Sequence, residues 1–239
     1  RAQPLATETA SPPVPTPRPF FVAGYEDVRA IRLVVVQSYP QMDEVFSQPI
    51  TGTVGNILAG LGYRVVEDAA QSDATLTISV TGTAPLVTYT NRKTGQTYDC
   101  YTKAVYEGQL TLGAPGRDPL KIPLEGRYIP FRAPYCTSSP SGAPFEYAWP
   151  KAVLEGLHRV WGIQPLIVTL EDENCEARRS AAGILERLGA AAKQSVPALR
   201  EVFISVQGPD RDPCATEYSL REALRSITGK YCYDEGASC

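Results

Sequence analysis

Residues 74–83 carry the sequence ATLTISVTGT, in which apolar and hydroxyl side chains alternate. Leu76, Ile78 and Val80 lie on one side of an extended chain, and the threonine and serine residues between them lie on the other. A period of two of this kind predicts a β-strand in a sheet with one buried face and one solvated face.

Neighbouring segments predict partners for this strand. Residues 31–37 (IRLVVVQ) are rich in β-branched side chains, and residues 63–66 form a short strand. Residues 101–112 and 120–131 are predicted to pair as a hairpin about a turn at residues 114–119. Together with the central strand they predict a mixed or antiparallel sheet.

Two segments have apolar residues at helical spacing. One covers residues 50–61 and ends before Gly62, and the other covers residues 150–161. The order strand, helix, strand, strand, hairpin, helix predicts an α+β fold in which helices pack on one face of a sheet domain at residues 23–149.

The C-terminal part is helix-rich and contains the most specific pattern in the chain. Residues 165–189, PLIVTLEDENCEARRSAAGILERLG, resemble a HEAT-like helical repeat of the PBS-lyase type. In that family two antiparallel helices flank a turn that carries Asp, and the second helix has the form V-R-x-x-A-A-x-x-L-x-x-(L/I)-G. Asp172 occupies the turn position, Arg178 follows it, and Ala177 departs from the usual Val; the other matching residues are Ala181, Ala182, Leu185, Leu188 and Gly189. The resemblance implies a structural Asp–Arg ladder between units.

A second, degenerate unit follows. Residues 196–199 align with residues 164–167, and Glu217 stands where the first unit has Arg178. A seven-residue insertion is placed in the turn at residues 208–214. Because two units are too few to bury their own faces, the helix at residues 150–161 is expected to cap them. The predicted helical module therefore spans residues 150–230.

The N-terminal part is similar in pattern to small α/β domains of bacterial envelope lipoproteins. The likeness lies in a helix that ends in Leu61-Gly62-Tyr63 and precedes a strand beginning Asp73-Ala74-Thr75-Leu76.

The first 22 residues are predicted to be a disordered tether, because residues 1–19 contain six prolines and few apolar groups. The chain begins with Arg1, so we expect export, with a removed signal peptide, a lipid anchor or a membrane tether ahead of it. A flexible cytosolic tail is the alternative. Export predicts an extracytoplasmic location: secreted, periplasmic or at the surface of a bacterial envelope.

The six cysteines favour disulfides over a zinc site, because no Cys-x-x-Cys pair or neighbouring His occurs. The predicted hairpin brings Cys100 and Cys136 to the same open end. Cys175 and Cys214 precede equivalent helices of the two predicted repeats, and Cys232 and Cys239 then close a tail at residues 231–239. Six buried thiols in a cytosolic protein are the alternative.

Composition excludes several classes of partner and chemistry. A net charge of -3 argues against nucleic acid, and no apolar run is long enough to span a membrane. His158 is the single histidine and lies away from any Ser or Cys motif. We therefore predict no catalytic residue, no metal and no cofactor.

Two sets of residues are candidates for binding a protein or peptide. The first is the polar face of the repeat helices: Arg178, Arg179, Glu186, Arg187, Arg221 and Arg225. The second set lies in a segment at residues 89–147, which holds seven of the 13 tyrosines. The candidates from this segment are Tyr98, Tyr101 and Tyr135. A hydrated helix face and ordinary strand tyrosines are the alternatives.

The sequence thus favours a non-enzymatic, exported or surface-tethered interaction scaffold. Two alternatives stay open: a carboxylate-dependent hydrolase acting on envelope polymers, and a homo-oligomeric structural protein whose tyrosine region is the interface.

Overall fold

The structure is a computed structural model that describes residues 20, 22–40, 49–101, 103–128, 135–136, 143–207 and 214–230. Its strands are β1 (Ala30–Ser38), β2 (Arg64–Val66), β3 (Ala74–Thr83), β4 (Leu86–Thr90), β5 (Thr97–Tyr101), β6 (Ala104–Gly113), β7 (Leu120–Tyr128) and β8 (Tyr135–Cys136). Its α-helices are α1 (Ile50–Gly60), α2 (Ala143–Trp161), α3 (Gln164–Thr169), α4 (Cys175–Leu188), α5 (Val196–Ser205) and α6 (Glu217–Thr228).

Five strands form the main sheet in the order β2-β1-β3-β6-β7. β1 runs parallel to β2 and β3, and β3, β6 and β7 are antiparallel neighbours, so the sheet is mixed. Leu76, Ile78 and Val80 are buried in the core, whereas Ser79 and Thr81, on the other side of the strand, are exposed. The alternation therefore places one face of β3 in the core, and the α+β fold class is confirmed.

A second, three-stranded sheet has the order β4-β5-β8. It continues the central strands of the main sheet, because β4 follows β3 and β5 leads into β6. The predicted strand at residues 101–112 is therefore divided: β5 ends at Tyr101 and β6 begins at Ala104. Every residue from 87 to 99 is exposed except the half-buried Asn91, so the β4–β5 hairpin projects into solvent on both faces.

Helix α2 joins the sheet to the C-terminal helices. It packs on β6 and β7 and also contacts α3 and α4. The helix begins seven residues before the predicted start, and Pro150 lies inside it. Leu154 and Leu157 of this helix belong to a continuous core that runs from Val22 to Ile227. The two predicted parts therefore share one hydrophobic interior.

Among the C-terminal helices, α4 packs against α3 and α6, and α6 also packs against α5. The start of α4 is joined to the segment before α6 by a Cys175–Cys214 disulfide with Cα atoms 4.9 Å apart. This predicted disulfide is confirmed. Asp172 is buried and bonds the Asn174 amide, and the ion pairs seen among the described residues do not include an Asp172–Arg178 pair. The turn of the second unit, at residues 208–213, lies outside the described residues, so the expected ladder between units stays a prediction.

The structure describes the cysteines of the other two predicted disulfides only in part. Cys100 and Cys136 lie directly opposite each other in the β5–β8 register, which is the arrangement their predicted pairing needs. Their side chains, and the whole of Cys232 and Cys239, lie outside the described residues, as do most of the predicted tether and the predicted tail.

Two residues assigned to the tether contact the body of the protein. The Phe20 amide donates to the Leu61 carbonyl at 3.0 Å, and Val22 is buried in the core. Phe20 and Val22 therefore belong to the folded part and not to the tether. Within the described ranges, no helix is both long and apolar enough to cross a membrane.

Candidate binding cleft

An open polar cleft of about 480 Å³ lies along β7, between this edge strand and helix α2. Charged side chains dominate its lining, which consists of Pro123, Glu125, Arg127, Lys151, Glu155, Arg159 and Arg187. These residues come from three elements far apart in sequence: β7, α2 and the C-terminal turn of α4.

Two simple periodicities place these side chains in one cleft. Pro123, Glu125 and Arg127 are two residues apart, so they share the outward face of β7. Lys151, Glu155 and Arg159 are four residues apart, so they share one face of α2. The other sides of both elements are buried, which fixes the charged faces towards solvent.

Two ion pairs order the cleft. Arg127 pairs with Glu125 within β7 at 2.5 Å, and Arg187 reaches from α4 to Glu155 on α2. Arg159 Nη1 donates to the carbonyl of Pro123 at 3.4 Å. The Arg187–Glu155 pair therefore joins α4 to α2, whereas the Arg127–Glu125 pair lies within a single strand.

The cleft carries excess positive charge. It holds four cations and two carboxylates, and both carboxylates are already bonded to arginines. No ion pair to Lys151 or Arg159 is seen within the part of the chain that the structure describes. The protein as a whole has a net charge of -3, so this positive region is local.

The structure separates the charged residues that the repeat pattern grouped. Arg187 lines the cleft, but Arg178 and Arg179 turn towards the disulfide, where they donate to the sulfur and the carbonyl of Cys214. Glu186 is exposed on α4. On α6, Arg221 lies over the Tyr218 ring at 5.6 Å and Arg225 pairs with Glu222 at 2.9 Å. A role for the α6 residues in binding stays a prediction.

The three candidate tyrosines belong to the small sheet. Tyr98 lies opposite Tyr89 across the β4–β5 hairpin, and its side chain is 41% exposed. Tyr101 and Tyr135 are register partners on β5 and β8, but their side chains lie outside the described residues.

Sequence reasoning missed most of the cleft. Lys151, Glu155 and Arg159 gave a usable signal, since their spacing of four predicts a charged helix face. Arg127 gave none, because its place in the cleft depends on which edge strand α2 covers.

A buried tyrosine cluster lies at the end of β1. The hydroxyls of Tyr39 and Tyr106 bond each other, and Tyr39 donates to Gln37 Oε1 at 2.7 Å. Phe145 packs edge-on against both rings. Burial raises the pKa of Tyr39 to about 12 and also raises the pKa of Tyr106. Both hydroxyls therefore stay protonated at neutral pH and remain able to donate hydrogen bonds.

The described residues give little support for metal or histidine chemistry. No group of three or more metal-binding side chains is found in the ranges that the structure describes. His158 Nδ1 is 2.8 Å from the carbonyl oxygen of Gly162, at the end of α2. The histidine thus satisfies a helix-terminal carbonyl.

Comparison with known proteins does not assign a family. No family model matches the chain, and no curated protein matches it. The HEAT-like resemblance therefore stays a prediction from the sequence pattern alone.

The solved structures that are similar to this chain include the following two. The rare lipoprotein B from Shewanella oneidensis is 18% identical, with 70% of this chain and 98% of that chain covered and a TM-score of 0.24. A putative neuraminyllactose-binding hemagglutinin homolog from Helicobacter pylori is 9% identical, with 72% and 94% covered and a TM-score of 0.30. At these TM-scores neither likeness carries a functional argument.

Proposed function

We propose that this protein is a non-enzymatic, extracytoplasmic binding protein whose cleft between β7 and α2 takes an acidic segment of a partner protein. The observation that carries the proposal is the unbalanced positive charge of the cleft, in which both carboxylates are bonded to arginines while Lys151 and Arg159 have no described ion pair.

An extended acidic peptide suits this arrangement better than a small anion. The cations are distributed along β7, α2 and the end of α4 rather than gathered about one point, and the cleft is open. Arginine binds a carboxylate through two parallel N–H groups, so Arg159 would orient a carboxylate of the bound peptide. Lys151 would attract a second carboxylate through its charge. Side chains of Glu or Asp on a partner would meet these two groups in turn.

The extracytoplasmic location is supported by the cysteines. Cys175 and Cys214 form a disulfide, and Cys100 and Cys136 lie opposite each other as a second disulfide would require. Disulfides persist in oxidising compartments.

The hydrolase alternative has no observation in its favour. It would need two carboxylates facing a substrate, and the two in the cleft, Glu125 and Glu155, each accept hydrogen bonds from an arginine. It stays a prediction.

Charge reversal tests the proposal. We expect a fluorescein-labelled polyglutamate peptide to bind the full chain, with an affinity that falls as ionic strength rises. Lys151→Glu combined with Arg159→Glu should weaken binding by about tenfold or more, since each change replaces an attraction by a repulsion. Fluorescence anisotropy measures both effects.

Lys193→Glu combined with Lys230→Glu is the matched control, because it alters the net charge equally at exposed positions outside the cleft. This variant should bind almost as well as the wild type. Equal weakening in both double variants would mean that net charge, not the cleft, governs binding. Tighter binding of polylysine than of polyglutamate would overturn the proposal.

A further inference from the structure

Among the residues that the structure describes, strand β4 is a sheet edge without a protecting device. It lies at one end of the three-stranded sheet, and within the described residues its only strand neighbour is β5. Its sequence, LVTYT, contains no charge and no proline. Alternate peptide groups along such an edge point outward and are free to pair with another strand.

The other edges of the two sheets are protected. β2 is three residues long and β8 is two. β7 contains Pro123, which has no N–H to donate, and it also carries Lys121, Glu125 and Arg127. Proline, charge and short length are the devices by which proteins prevent edge pairing, and β4 has none of the three.

The hairpin that contains β4 also exposes apolar side chains on one face. Val87 is 39% exposed, Tyr89 is 45% exposed, and Tyr98, opposite Tyr89 on β5, is 41% exposed. These three side chains share a face because the register pairs Tyr89 with Tyr98 and Val87 is two residues from Tyr89.

We propose that β4 pairs with β4 of a second copy of this chain, antiparallel and centred on Thr88, to form a two-fold dimer. In this register Thr88 lies opposite the same residue of the second copy, and Val87 lies opposite the second copy's Tyr89. Aromatic and β-branched residues form favourable cross-strand pairs. The apolar stripes of the two hairpins then become continuous across one six-stranded sheet.

Charge decides the direction of pairing. Arg92 and Lys93 lie at the hairpin tip, separated from the end of β4 by Asn91 alone. Parallel, in-register pairing would set the two Arg92 residues about 5 Å apart, the spacing of neighbouring strands. Antiparallel pairing about Thr88 separates them by eight residues, about 27 Å at ~3.4 Å per residue. That distance exceeds the Debye length of about 8 Å, so the cations do not oppose the dimer.

A five-residue strand buries less area than a standard interface, so the dimer should form reversibly with concentration. Light scattering of the full chain should give 25.9 kDa at low concentration and approach twice that mass as concentration rises. Thr88→Lys should keep the chain monomeric, because two ammonium groups would meet at the two-fold axis. The substitution also removes the hydrogen bond from Thr88 to Asp99 at 3.2 Å across the hairpin, so the variant's circular dichroism should match that of the wild type before its mass is interpreted.

Thr97→Lys is the matched control, since Thr97 is exposed on β5 and not on the β4 edge. This variant should dimerise like the wild type. A wild type that is monomeric at every concentration would overturn the proposal and leave the edge to a strand of another protein. Dimers that Thr88→Lys leaves unchanged would overturn it too.

Cross-linking tests the register separately. Residues directly opposite across a strand pair have Cα atoms about 4.5–5.5 Å apart, within the range that a disulfide spans. Thr88→Cys should therefore give a covalent dimer on mild oxidation, and Thr90→Cys should not, because residue 90 would lie opposite the second copy's Leu86. Equal cross-linking of the two variants, or none with Thr88→Cys, contradicts the register.

Discussion

At the scale of single residues, a glycine lets α2 lie directly on β7. A Cβ atom at Gly126 would be 2.2 Å from the carbonyl oxygen of Ala148 and 2.9 Å from the Ala152 side chain. The obstacle at Ala148 is backbone, so it cannot move aside as a flexible side chain would. Gly183, inside α4, has open space around its Cβ position.

These two glycines give opposite predictions for the free energy of unfolding. Gly126→Ala should lower the free energy of unfolding by about 2 kcal/mol, since overpacking a core costs ~1–3 kcal/mol. Gly183→Ala should raise it by about 0.5–1 kcal/mol, because alanine favours a helix interior. Urea unfolding measures both. An unchanged free energy of unfolding for Gly126→Ala would mean that α2 does not pack on β7 as described.

The tyrosine cluster predicts loss of stability at alkaline pH. Burial raises the pKa of Tyr39 from 10.0 to about 12, so between these values the folded chain keeps a proton that the unfolded chain releases. The resulting stabilisation is complete below about pH 10 and disappears as pH rises through 12. Tyr39→Phe removes this titration, so its unfolding free energy should fall less steeply over that interval than that of the wild type.

Tyr218→Phe is the control for this effect, because Tyr218 is 65% exposed. Its pH dependence, followed by urea unfolding at a series of pH values, should match the wild type. Identical slopes for all three proteins would show that Tyr39 is not buried in the way the structure places it.

At the scale of elements, the Cys175–Cys214 disulfide ties α4 to the segment before α6 across 39 residues of sequence. Closing a loop of this length in the unfolded chain predicts a stabilisation of about 2–4 kcal/mol. Cys175→Ala combined with Cys214→Ala should lower the free energy of unfolding by that amount, measured by urea unfolding. Unchanged stability would imply that α6 does not unfold with the rest of the protein.

Elements with strong local patterns were predicted from the sequence, and the reason is visible in their burial. β3 was predicted with its observed bounds because its two faces lie in different environments. The β4–β5 hairpin was missed because both of its faces are solvated, which removes the burial pattern. Its turn, Asn91 to Gln96 with Gly95 at positive φ, was the available signal.

The start of α2 was misplaced for a different reason. Pro150 is preferred in the first turn of a helix, and it lies in the interior of this one. Phe145 and Trp149, just before it, are buried in the core and stabilise the additional turns. Tertiary packing therefore outweighs the local preference of proline, and no local sequence pattern contains that information.

At the scale of the whole molecule, α2 makes the sheet and the C-terminal helices one core, so the described part should unfold as a unit. Both tryptophans, Trp149 and Trp161, lie on α2 and report the junction by fluorescence. Their unfolding transition in urea should coincide with that of the far-ultraviolet circular dichroism. Two separated transitions would indicate that the sheet and the helical module are independent domains.

The cleft between β7 and α2 is proposed to bind an acidic peptide, and this binding would define the function of the protein. Titrating the isotope-labelled chain with polyglutamate, while recording backbone amide NMR shifts, locates the site directly. We expect the largest changes at Glu125, Arg127, Lys151, Glu155 and Arg159. Changes confined to α6 or to the β4–β5 hairpin, or no changes at all, would contradict the account.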